Sequence, residues 1–151
     1  MIRVQREDFD VGRELDRLAA GDHGIGGVAS FIGLVRDVLG PGGGISALTL
    51  EHYPGMTEKK LAEIEAEANR RWPLAASLII HRYGRLEPGD RIVLVATASP
   101  HREAALEACH FLIDWLKTDA PFWKSEETPR GERWVEARAE DDEATRRWRR
   151  E

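Results

Sequence analysis

Residues 92–98 form the segment that most constrains the fold, because almost every position in IVLVATA is apolar. Side chains alternate between the two faces of a strand, so a strand of this composition is apolar on both faces and lies centrally in a sheet. Ser99-Pro100 follows directly and predicts a helix start, with a capping serine and proline at the first helical position. The sequence therefore predicts a central strand whose end leads into a helix.

Shorter patterns predict the remaining elements. Apolar residues with helical spacing predict two further helices, the second one capped by Thr57 and ended by Pro73. Alternating apolar residues and glycine- or proline-containing breaks predict the strands and turns between them. These elements are helices over about residues 10–20 and 57–72, strands over 28–35, 45–53 and 78–83, a glycine-rich loop at 40–44 and a turn at 87–90.

This mixture of elements indicates the α+β fold class. A chain of 151 residues suits one domain, and we expect helices to pack on a mainly antiparallel sheet. The predicted catalytic domain covers residues 1–137. Residues 138–151 are dominated by charged side chains, and we expect them to form a helical C-terminal segment.

Charge and cysteine content exclude several function classes. Twenty-two basic and twenty-seven acidic residues give a net charge of −5, which disfavours a protein that wraps nucleic acid. The single Cys109 excludes an intrachain disulfide framework and a multi-cysteine zinc site. The charged start of the chain and the lack of an apolar run of about 20 residues predict a cytoplasmic protein with no membrane partner.

The candidate chemistry lies in cations beside structural breaks, since the sequence has no phosphate-binding glycine motif and no metal-ligand spacing apart from the weak pair His101 and His110. Arg36 ends the strand of FIGLVRD. His101 and Arg102 stand at a predicted helix start, where backbone N–H groups and the helix dipole favour anions. Lys117 and Lys124 flank the break DAPFW, where partial desolvation would lower the pKa of a lysine and suit it to nucleophilic or acid–base work.

Five segments together resemble one known family. FIGLVRD, LEHYPGMTEKKL, HRYGRLEPGD, SPHREAALEAC and DWLKTDAPFWKSE occur in the order and spacing of the MoaE family, the large catalytic subunits of molybdopterin synthase, between about residues 5 and 137. The resemblance implies an α/β hammerhead fold. It also implies a sulfurtransferase that converts cyclic pyranopterin monophosphate into the molybdopterin dithiolene, with no metal or organic cofactor.

The resemblance also implies the partners. Sulfur arrives as a thiocarboxylate on the C-terminal Gly-Gly of a small ubiquitin-like subunit of the MoaD type. Two large subunits form a central homodimer, and one small subunit binds on each outer side to complete a heterotetramer.

The resemblance also assigns individual site residues, one position at a time. The resemblance assigns catalysis to Lys117 and Lys124, with Lys117 next to the donor thiocarboxylate, and it assigns the substrate phosphate to Arg36, His101 and Arg102. Cys109 lies on an apolar helix stripe, which indicates an inert core thiol rather than a sulfur carrier. The full predicted substrate-binding set is Leu34, Val35, Arg36, His101, Arg102, Lys117, Lys124, Ser125 and Glu126, with Ser125 standing where the family often has a basic residue.

Two other functions remain open. Lys117 or Lys124 would also suit a Schiff-base enzyme acting on a carbonyl substrate, and the chain would alternatively suit a non-catalytic module that docks a ubiquitin-like tail.

The helix predicted after Pro100 leads to one further expectation about the sulfurtransferase site. His101 and Lys117 are sixteen residues apart on one predicted helix, or about 24 Å at 1.5 Å per residue. We therefore expect each active site to be shared between two copies of the chain.

Overall fold

Two four-stranded sheets and three helices make up the described part of the molecule. The computed structural model describes residues 1–37, 47–128, 131–135 and 146–148, so the predicted loop at 40–44 and most of the predicted C-terminal helix lie outside the described residues. The elements are β1 (Ile2–Gln5), α1 (Val11–Ala19), β2 (Gly27–Leu34), β3 (Ala47–His52), α2 (Met56–Arg71), β4 (Ala76–Arg82), β5 (Gly84–Leu86), β6 (Arg91–Ser99), α3 (Arg102–Thr118), β7 (Phe122–Thr128) and β8 (Gly131–Val135).

The first sheet has the strand order β1-β4-β6-β2, and the second has the order β5-β3-β7-β8. Only β1 and β4 run parallel; the other described pairs are antiparallel. The predicted α+β class with a mainly antiparallel arrangement is therefore confirmed. Because β6 lies between β4 and β2, the predicted central strand is confirmed as well.

Both faces of the first sheet are covered, as the composition of the central strand requires. Val95 of β6 packs with Leu61 of α2 and Phe111 of α3 on one face. Leu94 packs with Phe9 on the opposite face, where α1 lies. Alternation along β6 thus sends its apolar side chains into two separate cores.

The starts of two helices differ from the sequence prediction. Ser99 is still part of β6, and its hydroxyl donates to the carbonyl of Pro73 at 2.9 Å, so α3 begins two residues later with His101 at its N-cap. Thr57 lies inside α2 rather than capping it. The Thr57 hydroxyl is buried and donates to the carbonyl of Tyr53 at 2.8 Å, while Gly55 takes the N-cap with a φ of 86°.

Tyr83 is the single residue between β4 of the first sheet and β5 of the second. The two sheets are therefore covalently joined at this point. On the second sheet, Leu48, Leu50 and Leu86 form a small buried core together with Val35, which follows β2. This core brings the end of β2 against the second sheet.

Part of the C-terminal region lies against the helices. The indole of Trp148 packs edge-on to Phe111 and Trp72, with ring centroids 5.7 and 5.8 Å apart. Its Nε1 donates to the carboxylate of Asp114, and Arg71 donates to its backbone carbonyl at 2.5 Å. Trp148 is thus held on the face formed by α2 and α3.

Candidate active site

The charges of two lysines from different elements act on one buried imidazole, that of His81. Lys117 lies in the last turn of α3, which packs on the first sheet, and Lys124 lies on β7 of the second sheet. Burial, together with the positive charges of Lys124 and Lys117, lowers the pKa of His81 from its ordinary 6.5 to about 4. Both predicted catalytic residues therefore act electrostatically on the same buried ring.

The solvent exposure of the lysines differs from the expectation. Lys117 is exposed in the single chain and Lys124 is half-buried, so the desolvation expected beside the proline-aromatic break is not found at Lys117. The Lys117 side chain forms no salt bridge within the described residues. Its ammonium group is therefore available to an anionic ligand.

His81 is held in one orientation by two contacts. Its ring stacks on Phe122, with centroids 3.7 Å apart and planes 15° from parallel. Its Nδ1 lies 2.8 Å from the backbone carbonyl of Arg82. A carbonyl only accepts, so Nδ1 carries the proton and, in the neutral ring, Nε2 is an acceptor.

Further aromatic rings continue from this stack. His52 lies 6.0 Å from Phe122 and 4.4 Å from Tyr83 between ring centroids, and its Nδ1 is 3.1 Å from the hydroxyl oxygen of Thr57. We call His81, Phe122, His52 and Tyr83 the aromatic row. It lies where the two sheets meet, next to the lysines.

Arg36 leaves the first sheet at the same end as His81. The β2–β6 and β4–β6 registers place Gly33, Val93 and His81 in one line across the sheet, and Arg36 follows three residues after Gly33. Val35 is buried, and its N–H donates to the carbonyl of Asp90 at 2.9 Å. Arg36 itself is exposed and makes no salt bridge with the described residues.

Two predicted residues direct their side chains elsewhere. Leu34 is 54% exposed and lines a shallow groove with Ile32 and Arg91 on the α1 side of the first sheet. Ser125 is buried and follows Lys124 directly, so its side chain lies on the opposite face of β7 from Lys124 and Glu126. Of the predicted residues Leu34, Ser125 and Glu126, only Glu126 shares a face of β7 with Lys124.

His101 and Arg102 lie at the far end of the sheet from the lysines. Ser99 pairs with Gly27, at the opposite end of β2 from Leu34. Helix α3 is continuous from Arg102 to Thr118, so about 24 Å separates His101 from Lys117 along its axis. One chain does not bring the helix start and the two lysines to one small substrate.

The helix start is held close to the strand by glycine. A Cβ atom on Gly26 would lie 2.1 Å from the carbonyl oxygen of Pro100, which no side chain tolerates. The His101 and Arg102 side chains are exposed and form no salt bridge within the described part of the chain. By contrast, Arg3 and Arg91 pair with Glu14 and Asp8.

Cys109 has the environment of a structural thiol. It is buried in the core between α3 and the first sheet, and burial raises its pKa to about 11. A thiol with this pKa is protonated at neutral pH and is a poor nucleophile. Within the described residues, no group of three His, Cys, Asp or Glu side chains is placed to hold a metal ion.

Three aromatic residues of the site do not stand out in the sequence. His81, His52 and Phe122 were not singled out, although His81 follows the apolar run Leu78-Ile79-Ile80 within one strand. A histidine on an otherwise apolar strand was the available signal. The sequence does not show which distant ring such a histidine meets.

The chain matches one protein family over most of its length. The family model described as "MoaE protein" matches residues 4–119. The chain belongs to the MoaE family. A relative from Ralstonia nicotianae, named molybdopterin synthase catalytic subunit, is 57% identical over 147 residues, which are 97% of this chain and 83% of the relative.

Solved structures of MoaE-type proteins share the fold. The MoaE protein of Burkholderia ambifaria is 53% identical, with a TM-score of 0.84 over 98% of this chain and 97% of that one. A molybdopterin synthase structure from Staphylococcus aureus is 33% identical, with a TM-score of 0.82 over 89% of this chain and 96% of that one. In the described part of this MoaE-family chain, no helix is long and apolar enough to cross a membrane.

Proposed function

We propose that this chain is the catalytic subunit of a molybdopterin synthase, a cytoplasmic sulfurtransferase. It transfers sulfur from the thiocarboxylated C-terminus of a small ubiquitin-like MoaD-type subunit to cyclic pyranopterin monophosphate, and the product is the molybdopterin dithiolene. The observation that carries this proposal is that Lys117, in the last turn of α3, and Lys124, two residues after Phe122, flank the ring that stacks on the buried His81, and the charges of both lysines act on His81. The names of relatives more than 50% identical to the chain support it.

The charges of the site suit both reactants, because the thiocarboxylate donor and the cyclic phosphate are anions. Lys117 has no salt-bridge partner in the described residues, and it lies at the exposed end of α3. We assign it to the donor terminus, where an ammonium group stabilises the charge that develops as sulfur leaves the carbonyl carbon. We assign Lys124 to the orientation of the pterin and to proton transfer.

We assign the phosphate to three exposed cations, of which Arg36 lies at the same end of the sheet as His81 and His101 and Arg102 lie at the other end. Arg36, His101 and Arg102 are exposed and form no salt bridge within the described residues. Backbone N–H groups at the start of α3 add to the attraction of an anion there. Cations of this kind raise the local concentration of an anionic substrate even though the net charge of the protein is −5.

The distance between His101 and Lys117 along α3 requires that two chains contribute to each site. About 24 Å between His101 and Lys117 is roughly twice the length of a cyclic pterin phosphate. In a two-fold dimer the start of one helix can approach the end of the other. Each site then contains Lys117 and Lys124 of one copy with His101 and Arg102 of the second, inside a heterotetramer that also holds two small subunits.

One reconstitution tests the function against its alternatives. The chain is mixed with a thiocarboxylated small subunit and cyclic pyranopterin monophosphate, and the dithiolene product is measured. Product formation supports the proposal. Binding of the small subunit without product would indicate a tail-docking module, and a borohydride-trapped adduct between lysine and substrate would indicate a Schiff-base enzyme.

A further inference from the structure

Each lysine is attached to a different sheet: Lys124 lies within one, and Lys117 lies on the helix that packs on the other. Lys117 belongs to α3, which packs on β2 and β6 of the first sheet. Lys124 belongs to β7, where it pairs with Leu50 of β3 in the second sheet. The separation of the two ammonium groups therefore depends on how the sheets are held against each other.

The closest ring contact across this joint is the stack of His81 on Phe122. His81 is the last but one residue of β4 in the first sheet, and Phe122 is the first residue of β7 in the second. Their centroids are 3.7 Å apart and their planes 15° from parallel. His52 and Tyr83 extend the contact on the side of the second sheet, with 4.4 Å between their centroids.

Phe122 lies close enough to Lys124 along β7 that a displacement of Phe122 also displaces Lys124. The two residues are separated by one position, so they share a face of β7 at a spacing of about 7 Å. Phe122 also packs against the core under α3. Any shift of the Phe122 ring away from the first sheet therefore moves Lys124 relative to Lys117.

We propose that His81 is a positioning residue for the lysine pair: its stack on Phe122 joins the two sheets beside Lys117 and Lys124 and fixes the spacing of their ammonium groups. This inference deepens the proposed function and rests on it for its meaning in catalysis. The geometry itself does not depend on the reaction. His81 touches no reacting atom in this arrangement and acts through the lysines.

The environment of His81 also keeps its ring neutral. Burial disfavours a positive charge on the ring most strongly, and Lys124, Lys117 and His52 disfavour it further, so the pKa of His81 falls to about 4. Nδ1 is already committed to the carbonyl of Arg82. A protonated ring would add a third positive charge near the two lysines, whereas the neutral ring does not repel them.

Three variants separate the stack from other roles of the ring. His81→Ala removes the stack, His81→Phe keeps an uncharged planar ring, and His23→Ala is the control because His23 is exposed. With thiocarboxylated carrier and precursor, we expect His81→Ala to lower kcat about 10- to 100-fold, since small misplacements of catalytic groups have effects of this size. KM should change less than about threefold, and His81→Phe should stay within about threefold of the unmodified chain in kcat.

A double-mutant cycle distinguishes positioning from a general loss of stability. Phe122→Leu is combined with His81→Ala, and thermal unfolding confirms that each variant is folded at the assay temperature. Because both changes remove the same contact, the double variant should lose no more kcat than the worse single variant. Additive losses in kcat would overturn the proposal.

A measurement on the free chain keeps the inference separate from the function. The sequence contains only four lysines, at positions 59, 60, 117 and 124, so NMR of the ¹³C-labelled ε-methylene groups resolves each one. His81→Ala should shift the signals of Lys117 and Lys124, His81→Phe should shift them less, and Lys59 and Lys60 on α2 should not move. His23→Ala should leave all four unchanged.

The outcomes are distinct. If the unmodified chain makes no dithiolene product, the proposed function fails, yet the NMR shifts still test the geometry. If folded His81→Ala keeps unmodified kcat and unmoved lysine signals, the positioning role is wrong. If His81→Phe is as impaired as His81→Ala, the ring nitrogens rather than the stack matter, and the proposal is again overturned.

Discussion

Lys117 lies at the exposed end of α3, where the negative end of the helix dipole favours its positive charge. Replacing it with alanine should lower sulfur transfer by about 100- to 1,000-fold, the loss typical of removing one group that stabilises developing charge. Circular dichroism should be unchanged because the side chain is exposed. Single-turnover formation of the dithiolene measures the effect, with the exposed Lys59→Ala on α2 as the matched control.

Lys117→Arg tests what the ammonium group does. A guanidinium keeps the positive charge but is not deprotonated in proteins. If Lys117 donates a proton, Lys117→Arg should be about as inactive as Lys117→Ala. Near-normal turnover of a folded Lys117→Ala chain would exclude the role assigned to this lysine.

His81 should make the stability of the protein depend on pH. Its pKa is about 4 in the folded chain and ordinarily 6.5, so between these values the unfolded state binds a proton that the folded state does not. The free energy of unfolding should therefore fall as the pH is lowered, by about 2 to 3 kcal/mol between pH 7 and pH 4.5.

Urea unfolding at a series of pH values measures this loss. Asp8, Glu14 and Glu67 have pKa values lowered chiefly by hydrogen bonds from arginines. Their contributions are lost only as the pH falls toward their unfolded pKa values of 3.8 to 4.5, so the decline above about pH 5.5 is free of them. His81→Phe should flatten the decline, and an equally steep decline in that variant would assign it to another group.

Among the elements, the contact between the start of β2 and the start of α3 is the tightest described. Gly26 lies there without room for a Cβ atom, because backbone of Pro100 occupies the space. Gly26→Ala should lower the free energy of unfolding by about 1 to 3 kcal/mol, as overpacked sites do. It should also raise KM for the substrate, since His101 and Arg102 follow directly.

Gly12→Ala is a control variant that should raise the free energy of unfolding rather than lower it. Gly12 lies in α1, and an added Cβ would make an ordinary contact of 3.6 Å with Asp10. Alanine favours a helix over glycine by about 1 kcal/mol, so this variant should be slightly more stable. Denaturant midpoints of the two variants give the comparison, and equal midpoints would contradict the close-contact argument at Gly26.

Elements with strong local patterns were predictable, whereas their junctions were not. The apolar run of β6 and the helical spacing of α2 identified those elements within two residues. The cap of α3 was placed too early because Ser99 bonds to Pro73, twenty-six residues away, rather than to the helix.

The candidate site was predictable only in part. Lys117 and Lys124 stood out because they flank a proline-aromatic break, and Arg36 because it ends a strand. The contact of His81 with Phe122 joins residues 41 positions apart in different sheets, and no local pattern encodes it. The side-chain directions of Leu34 and Ser125 likewise depend on the faces that the sheets present.

For the whole molecule, the length of α3 leads to a test by complementation. Lys117→Ala and Arg102→Ala chains should each be inactive alone. If each site uses the lysines of one copy and the helix start of the other, a mixed dimer contains one intact site and one site with both defects. Mixing the variants under conditions of subunit exchange should therefore restore activity, up to about a quarter of the unmodified level for random mixing of equal amounts with independent sites.

The same mixture has a direct control. Differently tagged copies purified in tandem show whether exchange has occurred. Two stocks of Lys117→Ala exchanged with each other should remain inactive. If tagged mixed dimers form and activity stays at the level of the parents, each site lies within one chain.

The unbroken helix α3 also limits which changes of length the gene can accept. Each residue inserted into Arg102–Thr118 would lengthen the helix by about 1.5 Å and turn one end against the other by about 100°. A single-codon insertion would therefore disturb both ends at once, even if it added only alanine. Systematic one-residue insertions along the gene, scored by molybdoenzyme-dependent growth, should find α3 among the least tolerant segments, with the exposed turn at residues 21–24 as the permissive reference.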